Sequence, residues 1–457
     1  MNIVIVGAGE VGCAVAQTLA AEGHDVNLVE QDAERAEKLA SELNVRVIPG
    51  NGARPQVLYD AGVREGCVVD LLLACTDRDE ANMLSCWIAR HAGVRRVISR
   101  VRSLEFTDSL TWARELGIDM MLSPERSVAR EILELLSVSS AVHTAELLEG
   151  RAAIYAFHVG DTSSLAGKSL KDIRLAHPDL TALVVYVERS PEENIIPNGD
   201  TVLEKEDLCY VVSKRDQVWK LEKLFQGRNP RPLRKVFVVG GGKLGYQVTQ
   251  RLQRDYRNIK IRLIDKDPQQ CAKLAQELGG ALILNGDGAD PSLLAEEGIE
   301  DADGYVCATE SDEVNLIYAA LAKSMGVNKS IAVVRRRLYQ NMPELMPVDA
   351  VVDPNEALAS VILRYIRYPG HARALSIIEQ IDAEMLELAM PEGSELIDIP
   401  LAQLKLPKGV LVALVGRGEN VFVPTGATRL RAGDHMILFA TTALMQEVVR
   451  LFEGERA

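Results

Sequence analysis

This chain is poor in the side-chain clusters that usually mark an enzyme or a metal protein. Seven histidines are spread over 457 residues, and no CxxC or histidine-rich spacing marks a metal site. His143, His158 and His177 stand alone, which fits structural or surface roles. The seven cysteines (13, 67, 75, 86, 209, 271 and 307) are odd in number and sit mostly inside apolar segments. That pattern fits reduced, buried thiols rather than a disulfide framework. No run approaches the ~18 apolar residues of a membrane helix, and the chain opens directly on a strand-like segment rather than a secretory leader. A soluble, intracellular protein is expected, and any work at a membrane would go through a separate partner. Positive charge is also in deficit, with 51 basic against 65 acidic residues and a net charge of −14. Such a balance argues against nucleic acid or anionic lipid as a nonspecific partner.

What the chain does have is one stretch, and it has it twice. Ile3–Val6 reads as a buried strand, Gly7-Ala8-Gly9-Glu10-Val11-Gly12 as a glycine turn, and Val11–Ala21 as a helix. A second apolar run, Val26–Val29, then ends on the carboxylate of Glu30. This is the order of a dinucleotide-binding Rossmann unit. Gly7 permits the turn, Gly9 lets a pyrophosphate approach the backbone, and Gly12 lets helix and strand pack closely. Free N–H groups at the helix start attract phosphate, and Glu30 stands where a ribose hydroxyl is held. The turn returns 233 positions later as Gly240-Gly241-Gly242-Lys243-Leu244-Gly245, with Asp265 closing the second strand. Asn51-Gly52-Ala53 returns as Asp287-Gly288-Ala289, and Thr76-Asp-Arg-Asp-Glu-Ala-Asn82 as Thr309-Glu-Ser-Asp-Glu-Val-Asn315. A repeat this long is a duplicated domain rather than a solenoid unit.

At 457 residues the chain is too long for one core and is expected to hold about three or four domains. Strands are expected at Arg46–Ile48, Val69–Cys75, Val97–Val101 and Ile118–Met121, and a helix over Arg126–Leu136. Asn51, Thr76 and Arg100 fall at the carboxyl ends of strands, the edge where open parallel sheets bind ligands. Asn51 either reaches the adenosine side of a nucleotide or serves as a turn former. Arg100 either meets a phosphate or ring, or makes a surface ion pair. From Thr144 the pattern changes to closely spaced strands: Ala152–Val159, Thr181–Glu188, Ile195–Ile196 and Leu208–Val212, closed by a helix over Val218–Phe225. Gly227–Arg234 reads as a linker. Arg364–Arg373, RYIRYPGHAR, reads as a solvated helix end. The strand-rich unit then repeats, with Pro197, Asp207 and Leu224 each matched 227 positions on by Pro424, Asp434 and Leu451.

On GAGEVG with Glu30, GGGKLG with Asp265, TDRDEAN, TESDEVN and the PxG patterns of both small halves, the whole chain resembles the TrkA family of bacterial Trk potassium-uptake systems. Family chains carry two tandem RCK (regulator of K⁺ conductance) units, so the resemblance implies an α/β protein. Each unit would be a Rossmann-like parallel-sheet domain followed by a small α+β domain. The implied bounds are 1–124, 140–226, 234–353 and 371–455. Carried over by position, Gly7, Ala8, Gly9, Glu10, Val11, Glu30, Asn51, Cys75, Thr76 and Arg100 line a first site for NAD(H) or ADP/ATP. Gly240, Gly241, Gly242, Lys243, Leu244, Asp265, Asp287, Ala308 and Thr309 line a second. Val333 stands at the position of Arg100, so the second site lacks that cation unless Arg335 substitutes, and the two sites are expected to differ in ligand or affinity. The resemblance also implies a homo-oligomeric, tetrameric ring on the cytoplasmic face of the inner membrane. There it would act on a potassium-translocating subunit of the TrkH or TrkG kind, with no metal and no catalytic residue of its own. An NAD-dependent oxidoreductase is the alternative. That reading needs a substrate domain with a placed acid or base, whereas here the small domain is duplicated with its Rossmann partner and no histidine recurs between the halves.

Overall fold

The computed structural model describes residues 1–453, except 67, 108, 109, 191, 192, 228, 230, 340, 341, 343, 344, 368–371, 379–382, 405 and 408. Cys67, Lys408, two linker residues and the Tyr368–His371 part of RYIRYPGHAR therefore lie outside the described residues. The first six strands are β1 (Asn2–Val6), β2 (Asp25–Glu30), β3 (Arg46–Pro49), β4 (Leu71–Ala74), β5 (Arg96–Arg100) and β6 (Met120–Leu122). They form one parallel sheet in the order β3-β2-β1-β4-β5-β6. The strand order reverses between β1 and β4, and the crevice at their carboxyl ends is where such sheets take ligands. Central strands covered on both faces must be apolar throughout, and Ile3–Val6 and Leu71–Ala74 are buried at every position. The expected strand Val69–Cys75 is shorter than read. Asp70 is spent outside it, accepting from Asn2 N–H at 2.9 Å and pairing with Arg95.

The small half that follows has β7 (Ala141–Leu147), β8 (Ala152–His158), β9 (Ala182–Ser190), β10 (Glu193–Ile195) and β11 (Leu208–Lys214), in antiparallel order β10-β9-β11-β8-β7. Strand β7 escapes a sequence reading, because AVHTAEL alternates neither cleanly nor at a helical period. The duplicate sheet has β12 (Lys235–Val239), β13 (Lys260–Asp265), β14 (Ala281–Asn285), β15 (Gly304–Cys307), β16 (Lys329–Val333) and β17 (Ala350–Val352), in the order β14-β13-β12-β15-β16-β17. The second small sheet has β18 (Ala372–Ile378), β19 (Ala383–Ala389), β20 (Leu411–Arg417), β21 (Asn420–Phe422) and β22 (His435–Thr441), in the order β18-β19-β22-β20-β21.

The chain divides into two compact units that are not the two repeats. Met1–Ala129 is joined by Asp353–Leu363, and Arg130–Val352 by Arg364–Ala457. Within the second unit the two small sheets share a core, in which Ile154, Tyr186 and Tyr210 pack with Met385, Ile437 and Phe439. Each such burial contributes roughly 1.5–3 kcal/mol.

Buried polar groups pin this unit. The Glu387 carboxylate, 1% exposed, accepts from Leu148 N–H at 2.9 Å and meets His435 Nδ1 at 3.0 Å. Arg367 pairs with buried Glu384, so that end of RYIRYPGHAR is packed rather than solvated. The Lys329 ammonium donates to the carbonyls of Ser139 (3.1 Å) and Ala141. Glu222 takes Ser140 N–H and the hydroxyls of Ser139 and Ser140 at 2.8–2.9 Å. The turn before β7 is thus held from both sides.

Burial pushes the Lys329 amine down to about 8, against ~10.4 for a free lysine. Between those values the unfolded chain binds more protons, so this group makes stability rise with pH over that window. In urea unfolding, the wild-type advantage over Lys329→Met should grow by about 1–3 kcal/mol between pH 7.5 and 10. An advantage that stays flat or shrinks would contradict the buried ammonium.

Candidate functional site

The two glycine turns are built alike, and each glycine meets a different constraint. Gly7 and Gly240 have φ near +100°, a region a side chain strains. A Cβ at Gly7 would also come 2.9 Å from the Thr76 nitrogen, and one at Gly240 2.7 Å from the Ala308 oxygen. A Cβ at Gly12 would sit 1.9 Å from the Gly7 oxygen, and one at Gly245 1.8 Å from the Gly240 oxygen. Gly9 and Gly242 differ: each is the N-cap of its helix, Glu10–Ala21 or Lys243–Asp255, and a Cβ there meets nothing within 4 Å. The protein's own packing does not require glycine at these two positions. They leave open space before the unpaired N–H groups of a helix start, the room a phosphate needs. Val11 and Leu244 are buried in the same first turns, while Glu10 and Lys243 are exposed.

A carboxylate faces each turn. Glu30 accepts from Ala8 N–H at 3.2 Å and Asp32 N–H at 2.9 Å; Asp265 accepts from Gly241 N–H at 2.6 Å and Asp267 N–H at 2.8 Å. Gly241 stands where the first turn has Ala8, because a Cβ there would come 2.5 Å from Leu274. The ends of β4 and β15 are likewise tied. Thr76 donates to Asn82 Oδ1 from its N–H (2.9 Å) and hydroxyl (2.6 Å), and Thr309 does the same to Asn315. Ala308 and Cys75 are buried beside them. The Cys75 thiol donates to Gly7 O at 3.4 Å, and burial pushes it up to about 12, so it stays protonated and supports the turn from behind.

The halves diverge in their charged groups. Arg100 is half-buried, its guanidinium is destabilised first by burial and then by Arg102, and its Nε has no hydrogen-bond partner. Among the described residues it makes no surface ion pair of the kind considered above, and an anion would satisfy it. Val333 occupies its place in the second half, as Asn82 donating to Arg100 O and Asn315 donating to Val333 O confirm. Arg335 corresponds instead to Arg102: their N–H groups donate to Asp312 and Asp79 respectively. The Arg335 guanidinium is committed to the carbonyls of Thr309 and Glu310. Asn51 Oδ1 accepts from Ala53 N–H at 2.9 Å, a turn-forming bond. Its counterpart Asp287 accepts from Ala289 N–H at 2.9 Å and from the Tyr318 hydroxyl at 2.7 Å, and meets Lys266 at 3.2 Å. The Ala289 N–H above all, then the Tyr318 hydroxyl, holds its carboxyl below the usual range.

Several neighbours were not singled out from sequence. Arg35 donates to Ala8 O at 2.7 Å and Gln270 to Gly241 O at 2.6 Å, each from the helix after the acid strand. Asn82 and Asn315 lie within quoted motifs, and their recurrence was the available signal. Asn355, which donates to Glu10, belongs to the Asp353–Leu363 segment of the first unit, and no local pattern announces it.

Residues 3–124 and 236–354 match the TrkA-N domain, and residues 154–226 and 385–453 the TrkA-C domain. Trk system potassium uptake protein TrkA homolog 1 of Methanosarcina mazei is 34% identical over 461 residues, covering 99% of this chain and all of that one. The TrkA of Azorhizobium caulinodans is 30% identical over 457 residues, covering 99% and 98%. Among solved structures, the GsuK channel bound to NAD superposes with a TM-score of 0.62 at 17% identity, over 99% of this chain and 79% of that one. An RCK domain of the same channel superposes at 0.61, so the fold is that of tandem RCK units. The chain belongs to the TrkA family of Trk potassium uptake proteins.

Proposed function

We propose that this chain is a nucleotide-binding regulatory subunit without catalysis of its own, and that it gates a membrane potassium-translocating partner of the TrkH or TrkG kind. NAD(H) and ADP or ATP are its ligands. The observation that carries this reading is the pair of open glycine positions, Gly9 and Gly242, each before a helix start and beside a carboxylate. The turn residues at 7–12 and 240–245 hold the phosphates through backbone N–H groups. Glu30 and Asp265 take the ribose hydroxyls, and Arg100 takes an anion in the first site. Asn51, Thr76, Asp287 and Thr309 line the remaining strand ends, with Cys75 and Ala308 packed beneath. The functional division follows 1–124, 140–226, 234–353 and 371–455, and the chain assembles as a tetrameric ring held to the inner face of the membrane by its partner. Family membership supports the potassium-transport role, and the relatives named above carry that role in their names.

Regulation by such a ring is a matter of differential affinity. A ligand shifts a two-state equilibrium only by binding the two states unequally, about 1.4 kcal/mol for each tenfold preference, and several equivalent sites add.

Gly9→Asp and Gly242→Asp place bulk and negative charge where phosphate would lie, yet their Cβ atoms meet nothing in the protein. Each variant should fold with a melting temperature near that of the wild type and keep its membrane partner. Calorimetry should show nucleotide affinity at the altered site falling by about two orders of magnitude or more, and the double variant should lose the nucleotide response of potassium flux. A normal flux response in the double variant would defeat the proposal. A carboxylate beside the ribose repels a 2′-phosphate, so at the first site NAD(H) should outcompete NADP(H) at least about tenfold, and Glu30→Gln should narrow the gap. Equal affinities in the wild type would remove Glu30 from the ribose. Light scattering should give a mass four times that of a single chain, and a stable monomer with and without nucleotide would refute the ring.

A further inference from the structure

The second half differs from the first at the outer end of its crevice. A nucleotide with its phosphates on Gly240–Leu244 and its ribose on Asp265 runs from β12 to β13. The next strand outward is β14, so its base lies over the turn that follows, Gly286–Ala289. That turn carries Asp287, joined to Tyr318 and Lys266 in a closed triad. The Tyr318 hydroxyl donates to Asp287 Oδ1 at 2.7 Å, Lys266 Nζ lies 3.2 Å from Asp287 Oδ2, and Lys266 also reaches the Tyr318 hydroxyl at 3.2 Å. The ammonium stands 5.7 Å from the Tyr318 ring centroid. Corresponding positions in the first half hold Gln31, Asn51 and Ser85. Ser85 is buried and donates to Gly52 O at 3.0 Å. In the second half the matching carbonyl, Gly288 O, is taken by the Tyr305 hydroxyl at 2.6 Å, which leaves Tyr318 to face the crevice edge.

We propose that Asp287 reads the base of a purine nucleotide in the second half, selecting a 6-amino purine over a 6-oxo purine behind a latch formed by Lys266 and Tyr318, and that the first half has no such selection. The proposal rests on the nucleotide reading above. An ionised carboxylate only accepts hydrogen bonds, whereas an amide both donates and accepts. An incoming amino group can replace the donors that now occupy Asp287. A 6-oxo group brings a second acceptor against Oδ2 of Asp287, which loses Lys266 and gains no donor from that group, and is rejected. Asn51, with Oδ1 held on the Ala53 N–H, still offers a second lone pair on that oxygen and its Nδ2 donors, so it suits either base without turning its amide. Lys266 and Tyr318 must move aside for any base, so they lower affinity at this site without choosing between bases.

The test uses the full chain with one site disabled at a time. Gly9→Asp leaves the second site to be titrated and Gly242→Asp the first, with NAD and nicotinamide hypoxanthine dinucleotide as probes. The second site should prefer NAD at least about tenfold, and the first should bind the two within about threefold. Asp287→Asn should abolish the preference, and Asn51→Asp should create one. Each keeps the oxygen that accepts the N–H of residue 289 or 53, so the turn survives the exchange. Lys266→Gln with Tyr318→Ser should tighten both dinucleotides at the second site and leave their ratio unchanged. Equal preference in the two halves, or a preference that survives Asp287→Asn, would overturn the assignment of Asp287 and leave the nucleotide site standing. Binding of neither dinucleotide to the Gly9→Asp protein would overturn both.

Discussion

Everything at the candidate sites depends on how closely the first helix of each Rossmann half approaches the turn before it. With no side chain at Gly12 or Gly245, the carbonyl of Gly7 or Gly240 comes within a bond length or so of where a Cβ would stand. That contact fixes the direction of the helix, and with it where the unpaired N–H groups point. The same constraint orders the surroundings. Thr76 and Thr309 crowd the glycine turn from the next strand, and each is anchored through a buried asparagine that also ties down the end of the following strand. The open position before the helix is therefore set by strand, turn and neighbouring strand end.

Duplication kept this framework and altered what surrounds it. The glycines, the acid, the threonine and the asparagine recur with nearly the same bonds. The charged groups do not: Arg100 corresponds to Val333, Glu10 to Lys243, Arg35 to Gln270, and Asn51 to Asp287. The shared set holds the backbone in place, and the divergent set presents charge to whatever enters. Two sites that look alike as motifs are therefore unlike as electrostatic environments.

Much of this was readable in advance, because repetition turns a weak signal into a strong one. A glycine fingerprint alone is ambiguous, but strand, turn, helix and acid returning in order specify both sheets. Glu30 and Asp265 lie where the pattern places them. Legibility ends where side chains meet across distance. The Arg35 and Gln270 bonds to the turn carbonyls come from one face of a short amphipathic helix, where an exposed polar residue looks like any other. Arg335 was a natural substitute for Arg100 by proximity in sequence. The offset of 233 that sets Val333 against Arg100 already sets Arg335 against Arg102, and the matching N–H bonds to Asp312 and Asp79 agree with it. Strand β7 was missed because its inward face packs on another sheet, a partner that local periodicity cannot name.

The division into units carries a consequence for how the protein is made. The first unit is finished by Asp353–Leu363, some 220 residues beyond its own Ala129. During synthesis, the amino-terminal sheet must wait until most of the chain has left the ribosome before its last segment can dock. Contacts of such separation are slow to form and leave apolar surface open in the interval. A gene cut near residue 230, between the two repeats, would follow the boundary of neither unit. It would leave the first unit short of one helix segment and strand the start of the second, so an ancient tandem copy has become a single, indivisible folding problem.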